Sequence, residues 1–371
     1  MRSLSVSYQY PYSLSMEGPK GPERLVIRAN YPETPVSEML FQNLGLMHLV
    51  APHLPSRIIT DFLLEPRFVE LIRRMYAWEK YPAPDFSNMA SGPMRFSLPE
   101  TSGKKVVIAY SGGKDSVWNA WWCRKRYGSE NVSLVHIAQM NKLSASEEKK
   151  SVLAQRDALD FPNIEIVELL NSSRNRGYSI MRSRNMFIVG LCIPFALERG
   201  ASRIIIEGFA ECTAGETFTG TEANIRGFNS LIHSLGIPVS VGWRDRKEMA
   251  LLRDLLSACP DGLALANSCF TAKYFKGYIR KSWKKHTPTF PLFDTQCGSC
   301  LKCRITNIAR IRYDEKLLGT ASPQDIRTYI ALTDKWLMDK REEVDDMLTE
   351  SFMGVMKRVA QQYGITLTSV E

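Results

Sequence analysis

Two short stretches carry residue types that could do chemistry. The first is Ser111-Gly112-Gly113-Lys114-Asp115-Ser116. Adjacent glycines let a backbone pass close to an oxyanion, the hydroxyls of Ser111 and Ser116 add donors, and Lys114 can set a positive charge on a phosphate. Asp115 would repel phosphates unless it holds a magnesium ion or orients a donor. The second is Cys297-Gly298-Ser299-Cys300-Leu301-Lys302-Cys303, whose thiols at i, i+3 and i+6 can turn onto one ion. Tetrahedral zinc needs a fourth ligand, and Cys269 completes an all-cysteine set that would serve a structural role. Three cysteines with His286, or an iron-sulfur cluster, are the alternatives.

These residues need elements to hold them. Residues 106–110 form a continuous β-branched and aromatic run that predicts a strand, and 117–127 predict a helix. The glycine loop therefore joins a strand to a helix, where backbone amides can converge on an anion. Further strands are expected at 132–138, 164–169, 204–207 and 239–241, with helices at 144–160 and 183–199. Strands and helices in alternation predict an α/β fold with a parallel, doubly wound sheet. Residues 1–100 read as an accessory α+β unit, with strands near 4–8 and 25–27 and helices at 36–49 and 68–76. A proline- and glycine-rich linker follows at 81–103. The core is expected over 101–268, a zinc-binding segment over 269–310 and a helical C-terminal subdomain over 311–371, opened by Ser322-Pro323-Gln324-Asp325 as a helix cap.

Composition narrows the class. The chain has 371 residues, 44% hydrophobic and 23% charged, which excludes a disordered or fibrous protein. Its longest apolar run, 186–197, is too short for a membrane helix, so no membrane partner and a cytoplasmic location are expected. The net charge is +9. Residues 269–310 hold nine Lys and Arg against one acid, Asp294, so that segment carries nearly all of the excess. Within 270–296, Lys273, Lys276, Arg280, Lys281, Lys284 and Lys285 interleave with Tyr274, Phe275, Tyr278, Trp283, Phe290 and Phe293. Such a run can grip nucleic acid by phosphate contact and base stacking, dock a protein, or be a solvated loop.

The hexapeptide at 111–116 resembles the signature of the PP-loop ATP pyrophosphatase superfamily, whose fold is similar to adenine nucleotide alpha hydrolases. The resemblance implies ATP, with Mg2+, cleaved between its α and β phosphates. The loop and the cysteine group, in this order and about 185 residues apart, together resemble the 7-cyano-7-deazaguanine (preQ0) synthase family of the queuosine pathway. Ser183-Arg184-Asn185-Met186-Phe187 is similar to that family's Ala-Arg-Asn-x-x-Phe helix start, which implies that Arg184 and Asn185 belong to the ATP site. The implied Zn2+ ligands are Cys269, Cys297, Cys300 and Cys303, and the implied catalytic residues are Lys114 and Asp115.

Departures from the family bear on the substrate. The family's stretch for recognising 7-carboxy-7-deazaguanine is replaced by residues 211–228, in which only Gly220 and Phe228 look comparable, and its Asp-Tyr-Gly-Gln is here His136-Ile137-Ala138-Gln139. The family lacks the first 100 residues and has a shorter gap than the 27 residues between Cys269 and Cys297. Paralogues resembling the family occur in anti-phage operons, among them type IV CBASS and Qat systems. The expected function is an ATP-dependent, AMP-forming ligase that adenylates a 7-deazaguanine carboxylate and passes it to an amine. The amine is expected on a protein from the same operon, with ammonia as the alternative. A tRNA thiolase, for which Cys212 would be the reactive thiol, or a nucleotide-sensing subunit are further alternatives.

Overall fold

The computed structural model describes residues 3–18, 21–138, 145–161, 164–172, 178–206, 222–243, 246–267, 290–293, 296, 298, 300–344 and 349–369. The N-terminal part forms β1 (Ser3–Gln9), β2 (Ser13–Gly18), β3 (Gly21–Ala29), α1 (Pro35–Val50), β4 (Arg57–Thr60), α2 (Pro66–Trp78) and β5 (Asp85–Phe86). Next come β6 (Ser102–Ala109), α3 (Lys114–Tyr127), β7 (Val132–Ala138), α4 (Ala145–Ala158), β8 (Ile164–Asn171), α5 (Tyr178–Glu198) and β9 (Ala201–Ile206). They are followed by α6 (Glu222–Ser234), β10 (Ser240–Trp243), α7 (Glu248–Ala258) and α8 (Pro260–Leu265). The C-terminal part gives α9 (Leu301–Tyr313), α10 (Glu315–Thr320), α11 (Pro323–Val344) and α12 (Glu350–Gln362).

The strands make one ten-stranded sheet, ordered β10-β9-β6-β7-β8-β3-β2-β1-β4-β5. From β10 to β8 every pairing is parallel, as expected where helices connect the strands. The pairings β8 to β3, β3 to β2 and β2 to β1 are antiparallel, and β1, β4 and β5 pair in parallel. The fold is thus α/β with a large, mostly parallel sheet. The first hundred residues widen this sheet: β3 pairs along β8, with Leu25 opposite Asn171 and Val26 opposite Leu170. Without β3, β8 would be an open edge with unpaired backbone groups. Residues 81–103 are laid against the same part, with β5 on β4 and the Met94 N–H donating to Glu65 Oε2 at 2.7 Å.

Strand alternation splits the core into two layers. Val107, Val135, Ile137, Val167 and Ile204 face α1, α2, α5 and α6, while Val106, Ile108, Leu134 and Ile205 face α3, α4, α7 and the C-terminal helices. α1 starts on Thr34, whose side chain accepts from the Ser37 N–H, with Pro35 in the first turn. Thirteen of its sixteen residues are buried, because it is sandwiched by α5 and the sheet. It can approach α5 closely because Gly190 has no Cβ, which would run into Leu44 Cδ1. Each fully buried leucine in this layer contributes ~2 kcal/mol of apolar transfer. α11 opens as the sequence indicates, Ser322 Oγ accepting from the Asp325 N–H at 3.0 Å.

The connections set where a ligand can sit. After β6 the chain leaves onto the α3 face, and after β9 it leaves onto the α6 face. β6 and β9 are neighbours, so the crevice of an open α/β sheet lies at their C-terminal ends, where connections part to opposite faces.

Candidate functional site

Residues 111–116 occupy this crevice. α3 begins at Lys114, three residues before the apolar pattern begins, so Lys114, Asp115 and Ser116 form its first turn. Gly112 has φ +75°, and a Cβ there would lie 2.9 Å from Val152 Cγ2, so the position requires glycine. Gly113 caps α3 with no side-chain hydrogen bond, which leaves the positive end of the helix dipole directed at the crevice. Ser116 Oγ accepts from the Ser111 N–H at 3.1 Å and lies 2.9 Å from Ser111 Oγ, closing the loop on itself. From below, the Gly112 carbonyl accepts from Gln155 Nε2 and from the Asn267 N–H, both at 2.9 Å. Gln155 Nε2 and Ser151 Oγ also donate to the Leu265 carbonyl, at 3.0 and 2.7 Å. Residues 265–267, which lead directly to Cys269 in sequence, are therefore bolted to the loop.

Lys114 does not extend into solvent. Its side chain is 2% exposed, and Nζ lies 3.1 Å from Asp115 Oδ2 and 2.8 Å from Glu248 Oε1. Burial alone would lower its pKa, but the Asp115 and Glu248 carboxylates outweigh burial and hold it well above the usual lysine range. Burial likewise works to raise Asp115, and the ammonium groups of Lys114 and then Lys302 bring it below the usual carboxylate range. Lys302 stands between Cys300 and Cys303, so the cysteine group also approaches the loop. Glu248 was not legible as a site residue. Its only signal is an acid in the first turn of α7, and that turn is common to many helices.

His136, which the sequence marked only as a departure from the family's Asp-Tyr-Gly-Gln, is a second residue beside the loop. It lies two residues before the end of β7, is 2% exposed, and its Nδ1 lies 2.9 Å from the carbonyl of Tyr110, the residue before the loop. Its Nε2 has no hydrogen-bond partner among the described residues.

The remaining expectations fare variously. α5 starts at Tyr178, so Arg184 and Asn185 sit within the helix and not at its start; its first turns lie at the same end of the sheet as the loop. Ser183 is fully buried and its Oγ lies 2.9 Å from His48 Nδ1 on α1. His48 stacks on Phe187 with ring centroids 5.1 Å apart, and burial, followed by the Arg184 charge, pushes its pKa down to about 3. The N-terminal part thus grips the turn that carries Arg184 and Asn185.

Cys300 caps α9 and Cys303 lies in its first turn, 8% and 2% exposed. Cys269, Cys297, His286, Cys212, Gly220 and the basic residues of 270–289 lie outside the described residues. Among the described residues no group of three or more His, Cys, Asp or Glu could hold a metal. Phe228 is fully buried in the core between α6 and the sheet, which makes it a packing residue. Phe290 and Phe293, counted above with the aromatics of the basic run, also pack: Phe290 stacks on Tyr329 at 4.3 Å, and Arg310 lies 3.9 Å over the Phe293 ring. Two of the nine cations are structural as well. Arg304 donates to the Leu332 carbonyl and Thr333 Oγ1 at 3.2 and 3.0 Å, and Arg310 to the Pro291 carbonyl at 2.7 Å. The chain matches no family model, and no curated protein matches it. No helix among the described residues is long and apolar enough to cross a membrane.

Proposed function

We propose that this chain is an ATP-dependent, AMP-forming ligase of the PP-loop class, acting on a 7-deazaguanine carboxylate. The observation that carries this reading is the convergence of both motifs on one loop: Asn267 donates to Gly112, and Lys302 sits close enough to Asp115 to depress its pKa. A glycine turn of merely structural use has no need of a buried lysine, two carboxylates and both flanks of a cysteine group.

In this reading the amides at the start of α3 and the hydroxyls of Ser111 and Ser116 hold the β and γ phosphates. An oxygen of the substrate carboxylate attacks the α phosphorus, the bond to the bridging oxygen breaks, and pyrophosphate leaves held by the loop. The amine nitrogen then attacks the acyl carbon, AMP departs with the acyl oxygen's electron pair, and the nitrogen gives up a proton. Alignment and charge stabilisation carry such steps. Lys114, kept cationic by its two carboxylates, fixes Asp115 and Glu248 in place beneath the loop. Asp115, kept ionised, is the residue fitted to hold magnesium, which when bound neutralises charge on the phosphates. For zinc, Cys300 and Cys303 fit a structural site: they are buried, adjacent on one helix turn, and followed by a firmly packed helix.

The test is intact-mass analysis of the operon's other proteins after incubation with the enzyme, ATP, magnesium and 7-carboxy-7-deazaguanine, with and without ammonia. A protein that gains the mass of the deazaguanine acyl group is expected. Free nitrile alone would move the assignment to ammonia, and no product with either amine would overturn it.

A further inference from the structure

His136 has one ring nitrogen whose role is fixed and one whose partner is missing. A carbonyl oxygen can only accept, so Nδ1 must donate its proton to Tyr110 at 2.9 Å. Burial, the largest influence on its pKa, favours the neutral ring. Nε2 is then a lone-pair acceptor, buried and unpartnered among the described residues. Such an acceptor is costly to leave unmet, and one in the last pleat of a parallel strand, level with the residue before the loop, is a pointer to a ligand.

Its place says which part of a ligand. Ala109 is opposite Val135 in the sheet, so Tyr110 is level with His136 and the loop starts at the next residue. A nucleotide with its phosphates on the loop has its nucleoside within reach of the end of β7. His136 lies on the Leu134 face of β7, beside Tyr110, and both neighbours are 2% exposed. The flat, apolar-faced base tolerates such burial, whereas sugar hydroxyls are readily met by water at the rim. The partner must also be a donor.

We propose that His136 Nε2 accepts a hydrogen bond from the exocyclic amine of the adenine of bound ATP and so selects that base. This rests on the ATP reading given above. The side-chain acceptor rejects bases that present a carbonyl or nothing at that edge, because they leave it unmet.

The experiment is equilibrium binding, by calorimetry, of ATP, purine riboside triphosphate, which lacks the amine, 3′-deoxy-ATP and inorganic pyrophosphate. Wild type is expected to prefer ATP over the amine-free analogue by about tenfold, with 3′-deoxy-ATP close to ATP. In His136→Phe that preference falls to near one while pyrophosphate affinity holds. In His136→Gln, whose amide oxygen restores an acceptor, part of the preference returns. Equal binding of ATP and the analogue by wild type overturns the proposal without any variant, as does a preference that persists in His136→Phe or resides in the 3′ hydroxyl. Failure of wild type to bind pyrophosphate or ATP would instead overturn the loop assignment.

Discussion

Changing Glu248 to glutamine removes one of the two negative charges on Lys114 while keeping an oxygen that can accept from Nζ at the same 2.8 Å. The lysine is 2% exposed and Glu248 only 14%, so solvent screens little of the lost attraction. A hydrogen bond to a charged group contributes ~1.5–3 kcal/mol, and Asp115 remains in place, so the cost at neutral pH should be ~2 kcal/mol. The pH dependence is the sharper signature. A lysine held above its ordinary pKa contributes stability that is complete below that ordinary value, about 10.4, and is lost as pH rises from there through the folded one. In the wild-type protein that loss sets in as the unfolded lysine deprotonates and continues up to the raised folded value. With one carboxylate gone, burial weighs more heavily and the folded pKa falls, so the variant has less stability to lose in alkali and the cost of the substitution, constant at neutral pH, shrinks as pH rises past the variant's folded pKa. Urea denaturation across neutral to alkaline pH reads both effects, provided the slope of the transition is unchanged. Wild-type stability in Glu248→Gln, or a cost that grows with pH relative to wild type, would refute the account of Lys114.

Three further outcomes are expected. Gly112→Ala forces a left-handed backbone onto alanine and a contact with Val152 at 2.9 Å; it should lose ~1 kcal/mol or more in thermal melts and at least tenfold in pyrophosphate affinity, and unaltered binding would remove the loop from the site. Metal analysis of the purified protein should find one zinc per chain, falling towards zero in Cys300→Ser or Cys303→Ser, with chelation lowering the melting temperature; a metal-free protein with the same melting temperature would refute the cysteine assignment. His48→Phe keeps the stack on Phe187 but deletes the bond to Ser183, so it should cost ~1 kcal/mol in stability and weaken ATP binding more than pyrophosphate binding. Equal effects on the two ligands would show that His48 does not act through Arg184 and Asn185.

Local signals were strong where chemistry and burial coincide in sequence. The strand at 132–138 is read to the residue because a mostly apolar, β-branched run, broken only by Ser133 and His136, lies between Asn131 and Gln139, and the loop is legible because glycine, serine and lysine cluster between a strand and a helix. The start of α5 was misread because Tyr178 to Ser183 carries no apolar period, and the Arg-Asn pair resembles a cap. The N-terminal residues look separable because pairing between β3 and β8 joins segments far apart in the chain, which no local pattern reports. The same is true of Glu248, Gln155 and Lys302, whose importance lies wholly in what they reach. The basic segment 269–310 is more misleading: charge counted along the chain includes Arg304 and Arg310, which the fold uses as internal clamps.

The central claim is that ATP held on residues 111–116 is cut between its α and β phosphates when a carboxylate attacks. Chromatography of the products formed from ATP and magnesium in the presence of 7-carboxy-7-deazaguanine and an amine acceptor tests it directly. The account predicts AMP and pyrophosphate in equal amounts from the wild-type protein and neither from Asp115→Ala. ADP and phosphate as products, or undiminished AMP from Asp115→Ala, would contradict it.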